Sequence, residues 1–308
     1  MTTTRIEDIH DLTELSFAVG VKAELIEAYL NAPRQVDYYQ IIKIAKRGRN
    51  RRGEYRQVYK AKNKWLAQLH RSVAMIISNS VEFDEHVQGF LSGRSTVSNA
   101  KLHMQKDVII HADIKDFFNA ITEAQVYQSI LALGGNLLMA QILARACTID
   151  GFLLQGTRCS PVISNIVCRR LDSDMLELAR TTKSTFSRYA DNITFSGKTP
   201  PTPENIKAVI NGNGFELQAK GCYVQYRGAR QFVTGLSVVD HERPRLPKQM
   251  KKKLRLIAYY IKKYGDGHFE FSSENHSIAP TKAQFEGFIA YAHSVEPQFA
   301  KKLWSMIN

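Results

Sequence analysis

Phe186-Ser187-Arg188-Tyr189-Ala190-Asp191-Asn192-Ile193-Thr194-Phe195-Ser196 alternates apolar and small polar residues about a short polar tip, the pattern of a β-hairpin with an acid at its turn. A second acid, Asp113, closes the apolar run Val108-Ile109-Ile110-His111-Ala112, which has the composition of a buried strand and leads into Asp116-Phe117-Phe118. An ionised carboxylate at the end of an apolar strand is costly unless it is paired or binds a cation. A lone aspartate of this kind is often a loop cap, but two of them ending strands of one sheet converge more readily on metal. Such a pair can hold two hard divalent cations, the arrangement that in-line phosphoryl transfer needs.

The chain has 308 residues, 44% of them hydrophobic, enough for a proper core in one or two domains. Its formal net charge of +13 favours a polyanionic partner, nucleic acid above all, over a small neutral substrate. Much of that charge lies in one place. Lys43, Lys46, Arg47, Arg49, Arg51, Arg52, Arg56, Lys60, Lys62 and Lys64 are opposed only by Glu54. Strand-like flanks at Tyr39 to Ile44 and Tyr55 to Tyr59, with a turn at Gly48 to Gly53, predict a long basic hairpin. A run of one sign is either a solvated face or a surface for phosphate, and self-repulsion favours the second. A further basic cluster, Lys248, Lys251, Lys252 and Arg255, begins a helix that reads as tracking a nucleic-acid backbone. No apolar run has the length of a membrane span and the first residues lack the apolar core of a signal peptide, so no membrane partner and a cytoplasmic location are expected. The cysteines Cys147, Cys159, Cys168 and Cys222 lack zinc-type spacing and read as reduced thiols.

Helical periodicity marks residues 5–31, where Pro33 then intervenes, and Trp65 through Ile77. It also marks Glu123 to Leu133 behind a Thr122 cap, Ser164 to Arg180, and one last helix from about Lys282 to the end. Strands at Phe215 to Gln218 and Tyr223 to Gln225 would complete a sheet covered by helices on one side, an α+β layer. In Gln155-Gly156-Thr157-Arg158-Cys159-Ser160-Pro161, Gly156 permits close backbone approach, Ser160 stands where an N-cap belongs, and Pro161 suits a first helical turn. Arg188 reads as a neighbour of the template or metal site, or as a solvated strand-end charge. Phe117 and Phe118 also have a plain core reading, as His103 and His111 have a structural one.

Together, Asp113-Ile114-Lys115-Asp116-Phe117-Phe118, Gln155-Gly156 with Ser160-Pro161, and Tyr189-Ala190-Asp191 resemble the palm motifs of reverse transcriptases. Asn99-Ala100-Lys101-Leu102-His103 and Val233-Thr234-Gly235 are similar to elements of the retron branch of that family. The resemblance implies a right-hand polymerase: an N-terminal helical layer at 1–34, fingers at 35–105, a ferredoxin-like palm at 106–240 and a helical thumb at 241–308. It implies RNA-directed DNA synthesis with two Mg²⁺ ions at Asp113, Asp191 and the adjoining Ile114, and Asp191 and Asn192 at the catalytic hairpin. Asp116, Phe117, Phe118, Gln155 and Gly156 would border the incoming deoxynucleoside triphosphate, with Phe118 as a steric gate against a 2′-hydroxyl. Asn99 and His103 would join the basic residues in binding nucleic acid. The partners implied are a structured non-coding RNA (msr-msd), its branched msDNA product and a separate effector protein in antiphage defence.

One residue departs from the family pattern. Asn192 stands where the family has a second Asp, removing a negative charge beside the metals. The expected result is an intact fold with reduced turnover; the alternative is a weakened or inactive scaffold that binds RNA or msDNA. An intron-encoded or abortive-infection reverse transcriptase is a further alternative, which the Asn99-to-His103 and Val233-to-Gly235 elements oppose.

Overall fold

In the computed structural model, residues 4–45, 53–265 and 280–307 are described. The N-terminal periodicity forms a short turn at Ile6–Asp8 and two helices, α1 (Leu12–Val19) and α2 (Ala23–Leu30). They are separate because Gly20 adopts a left-handed conformation, φ 67°, and closes α1 with its amide on the Ser16 carbonyl. Asp11 caps the other end by accepting from the Glu14 amide at 2.8 Å.

Strands β1 (Tyr39–Ala45) and β2 (Tyr55–Ala61) pair antiparallel from Tyr39 opposite Ala61 to Ala45 opposite Tyr55. Only Tyr39 of β1 is buried, so the ribbon projects with Lys43 and Arg56 exposed. Lys46, Arg47, Arg49, Arg51 and Arg52, with most of the predicted turn, lie outside the described residues. Helix α3 (Lys64–Ser80) follows and buries Leu66, Leu69, Val73, Ile76 and Ile77, one stripe at helical spacing. Helix α4 (Thr96–Leu102) starts at the Ser95 cap.

The central sheet takes β3 (Val108–Asp113) as an inner strand. After it come α5 (Phe117–Ala120), α6 (Glu123–Ala132) capped by Thr122 and Gln125, α7 (Leu137–Cys147), and a small pair β4 (Thr148–Ile149) and β5 (Phe152–Leu153). Helices α8 (Ser160–Val167) and α9 (Arg169–Thr181) replace the one helix expected there. The break at Cys168 has a packing reason. Helix α8 buries residues on nearly all sides, Val162, Ile163, Asn165 and Ile166 among them, whereas α9 buries one stripe, so the two need different axes. Ser160 is the first helical residue and not the cap: its hydroxyl bonds the Leu154 carbonyl.

Strands β6 (Thr185–Tyr189) and β7 (Asn192–Gly197), helix α10 (Pro203–Gly212) and β8 (Tyr223–Tyr226) complete an antiparallel sheet of order β6-β7-β3-β8. Phe215 to Gln218 is not a strand. Leu217 makes a single bridge to Ile114, and the segment otherwise serves as a loop beneath the end of β3. One face of the sheet carries Ile110, Ala112, Ile193, Phe195 and Phe186 into a large core shared with the N-terminal helices, α3 and α6 to α10. The opposite face is polar, with Ser187, Thr194, Ser196 and His111 around Ile109.

A short pair, β9 (Phe232–Val233) and β10 (Leu236–Ser237), leads to α11 (Lys248–Tyr264), α12 (Lys282–Val295) and α13 (Pro297–Ile307). The single final helix expected is broken at Glu296, before Pro297. These helices have their own core of Leu254, Ile257, Phe285, Ile289 and Leu303, which Ile109 and Ala100 join from the sheet side. The fold is α+β. Among the described residues no helix is long and apolar enough to cross a membrane.

Candidate active site

The register of β3 against β7 sets Asp113 opposite Asn192, and the Ile114 amide donates to the Asp191 carbonyl at 3.0 Å. Pairing of Tyr189 with Asn192 leaves Ala190 and Asp191 as the turn, and Ala190 takes a left-handed φ of 58°. The two acids, far apart in sequence, thereby meet, with their carboxyl groups in hydrogen-bonding contact. Burial raises the Asp191 pKa; its own backbone amide, the Asn192 amide, Asp113 and the Arg56 charge pull the other way. The Asn192 Nδ2 donates to Asp191 Oδ1 at 2.9 Å. An ionised Asp in that position has no such proton to give.

Both acids open on a cavity of about 1000 Å³ that Ile114, Asp116, Phe117, Phe118 and Gln155 also line, with Arg56 and Tyr59 contributed by the basic hairpin. Phe117 is buried against Phe215, ring centroids 6.2 Å apart, which is the core role open to it. Phe118 is half-buried and lines the cavity. Gly156 does not line the cavity. At φ 107° its missing Cβ faces the Val58 side chain and the Tyr59 backbone, and the neighbouring Gln155 carbonyl accepts from the Tyr59 amide at 2.8 Å. Its backbone freedom serves docking of β2 onto this loop, while Gln155 alone faces the cavity.

Arg188 corrects the solvated reading: it is fully buried, beside the turn that bears Asp191. Its register partner is Ile193, so it points into the apolar face, where covering helices supply its partners. Nε and Nη2 donate to the Asp172 carboxylate at 2.6 and 2.7 Å, and Nη1 donates to Asn165 Oδ1 at 3.1 Å and to the Ala190 carbonyl at 3.2 Å. Asn165 Nδ2 in turn donates to the Gly89 carbonyl at 3.0 Å, and a Cβ on Gly89 would overlap the Ala190 amide. The guanidinium thus ties the turn that bears Asp191 to α8 and α9, and through Asn165 to the loop around Gly89. Arg94 holds that loop's shape by donating to the Phe83, Asp84 and Val87 carbonyls.

Asn99 and His103 are also corrected. Both are buried on the polar face of the sheet, out of reach of a nucleic-acid ligand. Ser187 Oγ donates to Asn99 Oδ1 at 2.6 Å, which leaves it to accept from His103 Nε2 at 2.8 Å, and Ser196 Oγ donates to Nδ1 at 2.7 Å. Burial pushes His103 down to about 3 from the ordinary 6.5. The folded value lies below the unfolded one, so this contribution is whole above pH 6.5 and is lost as pH falls toward 3. We expect stability to drop by up to about 1.4 kcal/mol per pH unit below that point. Thermal melts of the protein and of His103→Gln between pH 7 and 4 check this: the variant should start lower and show a flatter dependence.

On α11, Lys248 and Lys252 are exposed, whereas Lys251 is tied inward to Glu296 Oε1 at 2.7 Å. Arg255 lies over the Phe299 ring at 5.2 Å. Lys251 is therefore committed to holding α11 against α13.

Among the described residues no three His, Cys, Asp or Glu side chains gather as a ready-made metal cage. Two facing carboxylates nevertheless suit Mg²⁺, which binds through one or two protein carboxylates with the remaining positions filled by water and substrate phosphate.

A family model of reverse transcriptases (RNA-dependent DNA polymerases) matches residues 44–220. The chain is 29% identical to the retron Mx65 reverse transcriptase of Myxococcus xanthus, over 94% of this chain and 69% of that protein. It is 30% identical to the retron Mx162 reverse transcriptase of the same organism, over 72% of this chain and about half (52%) of that protein. To the retron Ec86 reverse transcriptase of Escherichia coli it is 25% identical, over 82% of this chain and 78% of the relative. With the acids, the turn and the cavity in the arrangement described, the chain belongs to the reverse transcriptases, RNA-directed DNA polymerases, and within them to the retron type.

Proposed function

We propose that the chain copies a structured non-coding RNA (msr-msd) into branched msDNA, with 35–105 as fingers, 106–240 as palm and 241–308 as thumb. The observation that carries the reading is the meeting of Asp113 and Asp191 in the lining of a cavity to which the basic hairpin also contributes. Asp113 and Asp191, with the backbone of Ile114, would hold two Mg²⁺ ions. Bound there, the metals supply charge neutralisation for the attacking hydroxyl and the leaving pyrophosphate. Asp116 and Gln155 border the triphosphate, and Phe118 stands against the sugar as the gate that excludes a 2′-hydroxyl. Exposed Lys43, Arg56, Lys248 and Lys252 hold phosphates, which positions nucleic acid without reading its sequence. Recognition of one RNA then falls to its folded shape and unpaired bases. A role in antiphage defence beside a separate effector protein completes the proposal.

Asn192 bears on how well the site turns over. Its amide bond to Asp191 Oδ1 occupies a lone pair of the carboxylate, and the site carries one charge fewer than a two-acid hairpin. The expected result is that Asn192→Asp raises primer extension in Mg²⁺ by about tenfold or more, with a smaller gain in Mn²⁺. Equal rates across both metal series would show that this residue does not limit catalysis. Incorporation of labelled deoxynucleotide by the unaltered chain separates a polymerase from a scaffold, which binds and never extends.

A further inference from the structure

Phe90 is an aromatic residue with a backbone φ of 65°, a conformation that costs a bulky side chain about 1 to 3 kcal/mol unless its surroundings impose it. Here they do. The Gln88 amide donates to the Arg188 carbonyl at 2.7 Å, Val87 bridges Arg188, Gly89 is pressed on Ala190, and the Gly89 carbonyl accepts from Asn165. The clamp that holds the catalytic turn thus also fixes where Phe90 emerges. Its side chain is 45% exposed, so core packing does not explain it.

What the ring does contact is Phe118, centroid to centroid 6.1 Å at 45°, within the range of a favourable aromatic pair. Phe117 lies on Phe118 as well, at 5.3 Å. Phe118 sits on the four-residue helix α5, too short to hold the side chain by itself, and both rings contact it. Phe118 lines the cavity and Phe90 is not among its lining residues. Phe90 therefore contacts the Phe118 ring without itself lining the cavity.

We propose that Phe90 is a positioning residue for sugar selection: it holds the Phe118 ring in the cavity lining so that a ribonucleotide's 2′-hydroxyl meets a fixed wall. The inference rests on the gate reading of Phe118. It couples substrate choice to the loop that packs against the turn bearing Asp191.

The test is single-nucleotide extension of a DNA primer on an RNA template by the full chain, comparing kcat/KM for a ribonucleoside and the matching deoxynucleoside triphosphate. The ratio is internal to one preparation, so a partly unfolded variant does not distort it. Phe118→Ala should raise ribonucleotide use relative to deoxynucleotide by on the order of 10²-fold. Phe90→Ala should raise it by about three- to tenfold, the worth of one aromatic pair. Phe90→Tyr, which keeps the ring, should stay within about twofold of the unaltered chain, and the double variant should not exceed Phe118→Ala. A ratio unmoved by Phe90→Ala while Phe118→Ala opens the site overturns this inference alone, as does a double variant in which the two effects multiply. A ratio unmoved by Phe118→Ala overturns the gate reading and this inference with it.

Discussion

Asp113→Asn and Asp191→Asn should each reduce deoxynucleotide incorporation by at least about 10³-fold, while leaving the folded protein as stable as before or more so. The two carboxyl groups touch, and burial already disfavours the charge on Asp191. Replacing either carboxyl by an amide removes a group whose ionised form is costly to bury in the absence of metal, and removes a ligand in its presence. The measurements are primer extension and a thermal melt with and without Mg²⁺. The unaltered chain should be stabilised by the ion and both variants much less so. Activity within tenfold of the original in either variant would sink the two-metal reading, and a melt insensitive to Mg²⁺ in the unaltered chain would count against it as well.

Arg188→Ala should cost about 3 to 5 kcal/mol of stability, the penalty for leaving one partner of a buried ion pair alone. Asp172 would then face an apolar interior with neither of its short bonds to the guanidinium. The Ala190 carbonyl and Asn165 lose a donor too, so the turn that bears Asp191 loosens. Urea unfolding gives the first quantity. The second shows in the paired variant Arg188→Met with Asp172→Leu: a well-packed apolar pair restores much of the stability, yet the bond to Ala190 is gone and polymerisation stays depressed. If Arg188→Ala unfolds within about 1 kcal/mol of the original, the pair contributes no more than a surface contact and the argument fails.

The sequence made the framework legible wherever the signal was local. The acid at the end of β3, the hairpin at 185–197 and the Thr122 cap each depend on residues within a few positions of one another. Arg188 was not legible, because its partners Asp172 and Asn165 lie on helices that reach it only after the sheet is covered. One hint was present: Arg188 falls in phase with Phe186, an inward position of its strand, where a charge demands a partner. Asn99 and His103 are spaced by four residues and share a helix face, and Ser187 and Ser196 are small polar residues in buried strands that needed partners. Pairing those two facts would have placed the helix on the sheet. For Gly156, only the fold reveals that its open side meets β2 and not a nucleotide.

Ile109 and Ile110 point to opposite sides of β3, one into the C-terminal core and the other into the large one. A slip of one residue in this strand would invert both at once, stranding apolar groups and burying polar ones in two interiors instead of one. The heading of Asp113 is thereby proofread twice, and an alternative alignment that satisfies one side still fails on the other. For a strand whose final residue places a carboxylate on the cavity, such redundancy guards the aim during folding, before any substrate arrives to correct it.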